Sequence, residues 1–129
     1  MKTIVVDTNA FLRFFLGDIP EQKKTCEKLL LEGKNHNITL IVPQVVLFEM
    51  NYVLEKLYHV EKLEVVGHLS YLINTDYLEV ESKGVFLSAL KMYSNNSLSL
   101  ADCLIACIAQ ARNAEVFTFD KKLAKATSH

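Results

Sequence analysis

Thr3-Ile4-Val5-Val6-Asp7-Thr8-Asn9 is a run of β-branched apolar residues that ends in an acid and two small polar residues. Ile4, Val5 and Val6 do not alternate with polar residues, so both faces of the strand they form require cover. That pattern belongs to a central strand of a sheet with helices on both sides. Asp7 then stands at the carboxyl end of the strand, outside which open α/β sheets build their sites. An acid fixed there is expected to anchor an acidic, metal-binding active site, with its partners drawn from the rest of the chain.

Working outward, Ala10–Leu16 reads as a short helix capped by Thr8 or Asn9 and broken by Gly17-Asp18-Ile19-Pro20. Pro20 and Glu21 suit the first turn of a second helix that ends near Gly33. Ile38–Val42 is a second strand of buried type, closed by Pro43. A helix follows from about Gln44 to Tyr58, with Glu49 set between Phe48 and Met50. Val60–Ile73 repeats apolar residues at helical spacing, and Tyr77–Val80 reads as a strand. Lys83–Tyr93 is helical, Ser94-Asn95-Asn96-Ser97 is a loop, and Ser99 caps a helix over Leu100–Arg112. Glu115-Val116-Phe117-Thr118-Phe119-Asp120 reads as the last strand, with Lys121–Lys125 a basic turn or short helix behind it. Parallel strands need crossovers of this kind. The expected architecture is a three-layer α/β/α sandwich on a central parallel sheet of four to five strands, in one domain over residues 1–129.

Composition narrows the function classes. A length of 129 residues suffices for a substantial core. A net charge of −1 advertises no basic field for nucleic acid, which does not bar an enzyme that reaches nucleic acid through metal ions. No apolar run approaches about 18 residues, so no membrane span is expected. Lys2 is followed by only a short apolar run before Asp7, which is not a secretion signal and makes the cytoplasm the expected compartment. Cys26, Cys103 and Cys107 are an odd set and read as reduced thiols. Cys103 and Cys107 share a helix face without a nearby histidine, and read as small buried apolar residues. His36, His59, His68 and His129 are scattered without ligand spacing, so no zinc site is expected.

Four acids stand out. Asp7 and Asp120 each end a strand, Asp102 opens a helix, and Glu49 lies in the first half of another. Parallel strands place their ends, and the starts of the helices that follow, along one edge. Carboxylates gathered there repel one another unless a cation joins them. Oxygen donors without histidine or cysteine suit Mg²⁺ or Mn²⁺. Three of them also have a plainer reading: Asp102 complementing a helix dipole, Asp120 capping a helix, Glu49 paired with a lysine or arginine.

The same residues carry a family resemblance. Val5-Val6-Asp7-Thr8-Asn9, Phe48-Glu49 after the strand closed by Pro43, Ser99-Leu100-Ala101-Asp102-Cys103-Leu104-Ile105-Ala106, and Thr118-Phe119-Asp120 occur in order across almost the whole chain. The set resembles the PIN-domain ribonucleases, specifically the VapC-type toxins of toxin–antitoxin pairs. The resemblance implies a PIN-like sandwich, Mg²⁺- or Mn²⁺-dependent cleavage of single-stranded RNA, inhibition by a cognate antitoxin, and a homodimer. It makes Asp7, Glu49, Asp102 and Asp120 the catalytic, metal-binding acids.

Thr8, Asn9, Ser99 and Thr118 flank those acids and are candidates for orienting carboxylates or waters. Arg13, Lys121, Lys122 and Lys125 lie just beyond two of the acids and are candidates for contacting RNA phosphates. Phe11, Phe14, Phe15 and Leu16 read as core, with part of the cluster available to an antitoxin as the resemblance implies. A haloacid dehalogenase-type phosphohydrolase would need a second Asp at position 9, where Asn9 stands. A phospho-acceptor receiver, or a binding module using the acidic edge without catalysis, would pair acids near the first strand and carry a lysine late in the sheet. A non-toxin PIN nuclease of RNA processing or repair is the alternative within the fold.

Overall fold

The computed structural model describes residues 2–128; Met1 and His129 lie outside them. The chain divides into two compact units, Met1–Glu81 and Ser82–His129.

The first unit carries the sheet. Its elements are β1 (Lys2–Val5), α1 (Thr8–Leu16), α2 (Pro20–Lys34), β2 (Ile38–Val42), α3 (Gln44–Tyr52), α4 (Lys62–Asn74) and β3 (Leu78–Val80). The strands are parallel in the order β1-β2-β3, with Val5 level with Ile41 and Val42 level with Val80. This register brings all three carboxyl ends to one edge, where Asp7, Pro43 and Glu81 follow. Leu40 and Val42 are fully buried, as are Leu47 and Met50 of α3 and Leu69 and Leu72 of α4. α2 comes close to the sheet through a residue without a side chain. A Cβ on Gly33 would lie 2.5 Å from Cδ1 and 3.1 Å from Cγ of Leu40.

α3 does not continue as an α-helix to Tyr58. From Val53 to Leu57 it becomes a π-helix, and Tyr58 caps it by donating its amide to Val53 O. The first helix is capped by Asp7 and not by Thr8 or Asn9, which are its first two residues. Asp7 has extended backbone (φ −88°, ψ 172°), the geometry an N-cap needs to turn its side chain onto the first turn.

The second unit holds α5 (Lys83–Asn95), α6 (Leu100–Ala111) and α7 (Lys121–Thr127). α5 and α6 pack on each other, with Phe86, Ala89 and Leu90 of the one and Leu100, Cys103 and Leu104 of the other buried. Cys103 and Cys107 are buried, as their apolar surroundings in the sequence suggest.

Two expectations are corrected here. No strand forms over Glu115–Asp120, so the sheet has three strands among the described residues and not four to five. β1 is consequently an edge strand and not a central one, with Val5 61% exposed. Strand propensity measures fit to a pleated, half-buried surface and not the presence of a pairing partner. Residues 115–119 carry the propensity without a ladder, and Phe117 and Phe119 stand 90% and 92% exposed, their rings edge to face at 5.5 Å. Among the described residues no helix is long and apolar enough to cross a membrane.

Candidate acidic metal centre

Asp7 follows Val6 off the end of β1 and is exposed. Its Oδ1 accepts the amide hydrogen of Ala10 at 3.0 Å, which holds the carboxylate at the start of α1 and leaves Oδ2 outside that bond. The thiol of Cys26 on α2 donates to the carbonyl of the same Ala10 at 3.1 Å. Burial pushes the Cys26 thiol pKa up, and the negative charges of Asp7 and Glu27 add to the rise. Asp7 is thus close enough for its charge to be felt on α2.

Glu49 lies on α3, which packs on α1. Its side chain is exposed and forms no hydrogen bond or ion pair among the described residues. The plainer reading, a lysine or arginine paired with Glu49, finds no such partner among the described residues.

In the second unit, Ser99 caps α6: its Oγ accepts the amide of Asp102 at 3.1 Å. Asp102 lies in the first turn, half-buried, where the helix dipole favours an anion. Asp120 caps α7, its Oδ1 accepting the amides of Lys122 (2.9 Å) and Leu123 (3.0 Å). Thr118 Oγ1 accepts the amide of Asp120 at 3.0 Å. Ser99 and Thr118 thus touch the backbones of the neighbouring acids, and Thr8 and Asn9 open α1 beside Asp7.

The basic candidates differ among themselves. Arg13 is largely enclosed: its guanidinium pairs with Asp18 at 2.8 Å and reaches the Tyr58 hydroxyl at 3.5 Å. Lys122 donates to Ser97 O at 3.2 Å, while Lys121 and Lys125 are exposed.

None of the four acids is ion-paired with a lysine or arginine among the described residues. Among the described residues each keeps at least one carboxylate oxygen without a protein donor. Unpaired hard-oxygen donors are what Mg²⁺ and Mn²⁺ select, so the residues present fit such an ion. Asp7 and Glu49 belong to the first unit, Asp102 and Asp120 to the second. Among the described residues, no group of three or more His, Cys, Asp and Glu side chains is gathered as a metal site.

One residue escaped the sequence reading. Glu81 follows β3, and its Oε1 accepts the amide of Gln44 at the start of α3 at 3.2 Å. Pro43, which closes β2, offers no side-chain cap to the helix it precedes, but nothing local in the sequence names Glu81 as the residue that fills that place.

The PIN domain family model matches residues 4–128. The chain belongs to that family. It is also 29% identical over 122 residues to the VapC ribonuclease of Aquifex aeolicus (strain VF5), covering 94% of this chain and 90% of that protein.

Proposed function

We propose that this chain is a metal-dependent endoribonuclease that cleaves single-stranded RNA and acts as the toxin of a toxin–antitoxin pair. Membership of the PIN family supports the reading, as does the likeness to a VapC ribonuclease along nearly the full length of both chains. The observation that carries it is the state of the four acids: Asp7, Glu49, Asp102 and Asp120 are all present, and among the described residues none is ion-paired with a lysine or arginine.

In this reading the four carboxylates hold Mg²⁺ or Mn²⁺. When bound, such an ion would lower the pKa of the attacking water and offset charge on the scissile phosphate. The chain's own contribution is positioning. Asp7 is held at the sheet edge by Ala10, and Asp120 is held by the first turn of α7. Thr8, Asn9, Ser99 and Thr118 keep the acids' local backbones in place, and Lys121 and Lys122 contact RNA phosphates. The protein works in the cytoplasm as a homodimer and is silenced by a cognate antitoxin.

Incubation with single-stranded RNA tests the activity. Cleavage is expected with Mn²⁺ or Mg²⁺ and is expected to stop with chelator; cleavage indifferent to chelator contradicts the metal reading. Expression in a host tests the biology. Growth arrest that is relieved by co-expressing the product of an adjacent small gene supports the toxin role, and unimpaired growth by an RNA-cleaving chain assigns it to RNA processing.

A further inference from the structure

We propose that Glu81 is a positioning residue for Glu49, fixing the start of α3 against the end of β3 and thereby setting where Glu49 stands relative to Asp7. The inference rests on the reading of Asp7 and Glu49 as metal-binding acids. It arises at the junction of β2 and α3. Pro43 is the N-cap of α3 and has no side-chain acceptor to offer the helix. A helix start leaves its first amides without partners. Glu81 supplies the missing acceptor from the neighbouring strand: its Oε1 takes the Gln44 amide hydrogen at 3.2 Å.

Glu81 grips the same junction a second time through its backbone. Its amide donates to the carbonyl of Val42, the last residue of β2, at 3.1 Å. Pro43 is thus bracketed, with Val42 O and Gln44 N both bonded to Glu81, the residue that follows β3. The carbonyl of Pro43 is itself taken by the Val46 amide at 3.1 Å. Such a bracket determines the direction in which α3 leaves the sheet. The carboxylate also meets the positive end of the helix dipole. Glu49 lies five residues further on, about 7.5 Å along the axis at 1.5 Å per residue. A change in the exit angle of α3 therefore moves Glu49 sideways, while Asp7, held by Ala10 on α1, stays in place.

A cap that served stability alone would leave metal affinity unchanged. The test is a calorimetric titration of the full chain with Mn²⁺, alongside thermal unfolding, for wild type, Glu81→Ala, Glu81→Asp, Glu81→Gln, Glu49→Gln, Asp7→Asn and the double variant Glu81→Ala/Glu49→Gln. Glu81→Ala is expected to weaken Mn²⁺ binding about tenfold, as loss of a residue supporting a metal ligand does. Glu81→Asp keeps the charge but withdraws the acceptor from Gln44, and is expected to follow the alanine variant. Glu81→Gln keeps a carbonyl acceptor of the same reach and is expected to bind as wild type does. In the Glu49→Gln background, Glu81→Ala is expected to add no further loss, because the two act through one ligand. The proposal is overturned if Glu81→Ala binds Mn²⁺ as wild type does, or if its loss is equally large without Glu49. Wild-type affinity in Asp7→Asn is a separate result: it overturns the metal reading itself, and the role of Glu81 with it.

Discussion

Asp7 caps α1 by accepting the Ala10 amide at 3.0 Å, so a single carboxylate serves both the fold and the proposed chemistry. The two duties separate on substitution. Asparagine caps helices about as well as aspartate, whereas alanine costs about 1 kcal/mol at an N-cap. Asp7→Asn is expected to abolish cleavage with an unfolding midpoint near wild type. Asp7→Ala is expected to lose cleavage and about 1 kcal/mol of stability as well. Circular dichroism melts beside an RNA cleavage assay check both.

Cys26 reports on the charge at Asp7. Burial first, then the charges of Asp7 and Glu27, raise its thiol pKa. Alkylation needs the thiolate, so the pH profile of Cys26 modification is expected to lie to the alkaline side of a free cysteine. Asp7→Asn removes one cause and is expected to shift the profile to lower pH, as is saturating Mg²⁺ in the wild type. The sign for stability follows from the raised pKa. The folded state holds the proton more tightly, so this contribution is present below the unfolded thiol pKa and lost as pH rises through the folded value. Peptide mapping by mass spectrometry distinguishes Cys26 from Cys103 and Cys107; a profile unmoved by Asp7→Asn contradicts the placement.

Gly33 sets the approach of α2 to the sheet. A methyl group there meets Leu40 at 2.5 Å, and Leu40 is fully buried with little room to give. Gly33→Ala is expected to destabilise the protein by about 1–3 kcal/mol, the usual cost of overpacking, without changing Mn²⁺ affinity. Denaturant titration measures the first effect and calorimetry the second.

Lys121 and Arg13 are expected to behave differently toward RNA. Each phosphate contact on a single strand contributes about 0.7 to the slope of log affinity against log salt. Lys121 is exposed and carries no ion pair among the described residues, so Lys121→Ala is expected to reduce the slope by about that amount. The charge of Arg13 is already met by Asp18 at 2.8 Å, and Arg13→Ala is expected to change the slope less. Binding to the cleavage-deficient Asp7→Asn background, followed by fluorescence anisotropy, makes the comparison.

How much could be read from the residues varied along the chain. Ile38–Val42 was legible to the residue because a β-branched run is cut off by Pro43. The helices were legible from their apolar spacing, with ends shifted by a few residues. The π-helix over Val53–Leu57 left no mark, since its composition suits an α-helix equally well. Glu115–Asp120 was read as a strand because alternating Val116, Phe117, Thr118 and Phe119 have strand propensity; pairing, which is non-local, decides the outcome. Of the four acids, Asp7 does follow β1 and Asp102 does open α6, whereas Asp120, expected to end a strand, caps α7 with no strand before it. Glu81 was not legible, because its role depends on β3 lying beside β2, a fact of register that local sequence does not express.

In the proposed function Asp7 and Asp120 serve one metal-dependent reaction. Residues that act as a unit are strongly non-additive on removal. The most direct measurement is the rate of single-stranded RNA cleavage in Mn²⁺ by wild type, Asp7→Asn, Asp120→Asn and the double variant. Each single variant is expected to fall at least about a hundredfold, with the double variant no slower than the worse single. A single variant that cleaves at the wild-type rate, or a double variant whose loss is the product of the two single losses, would contradict the account.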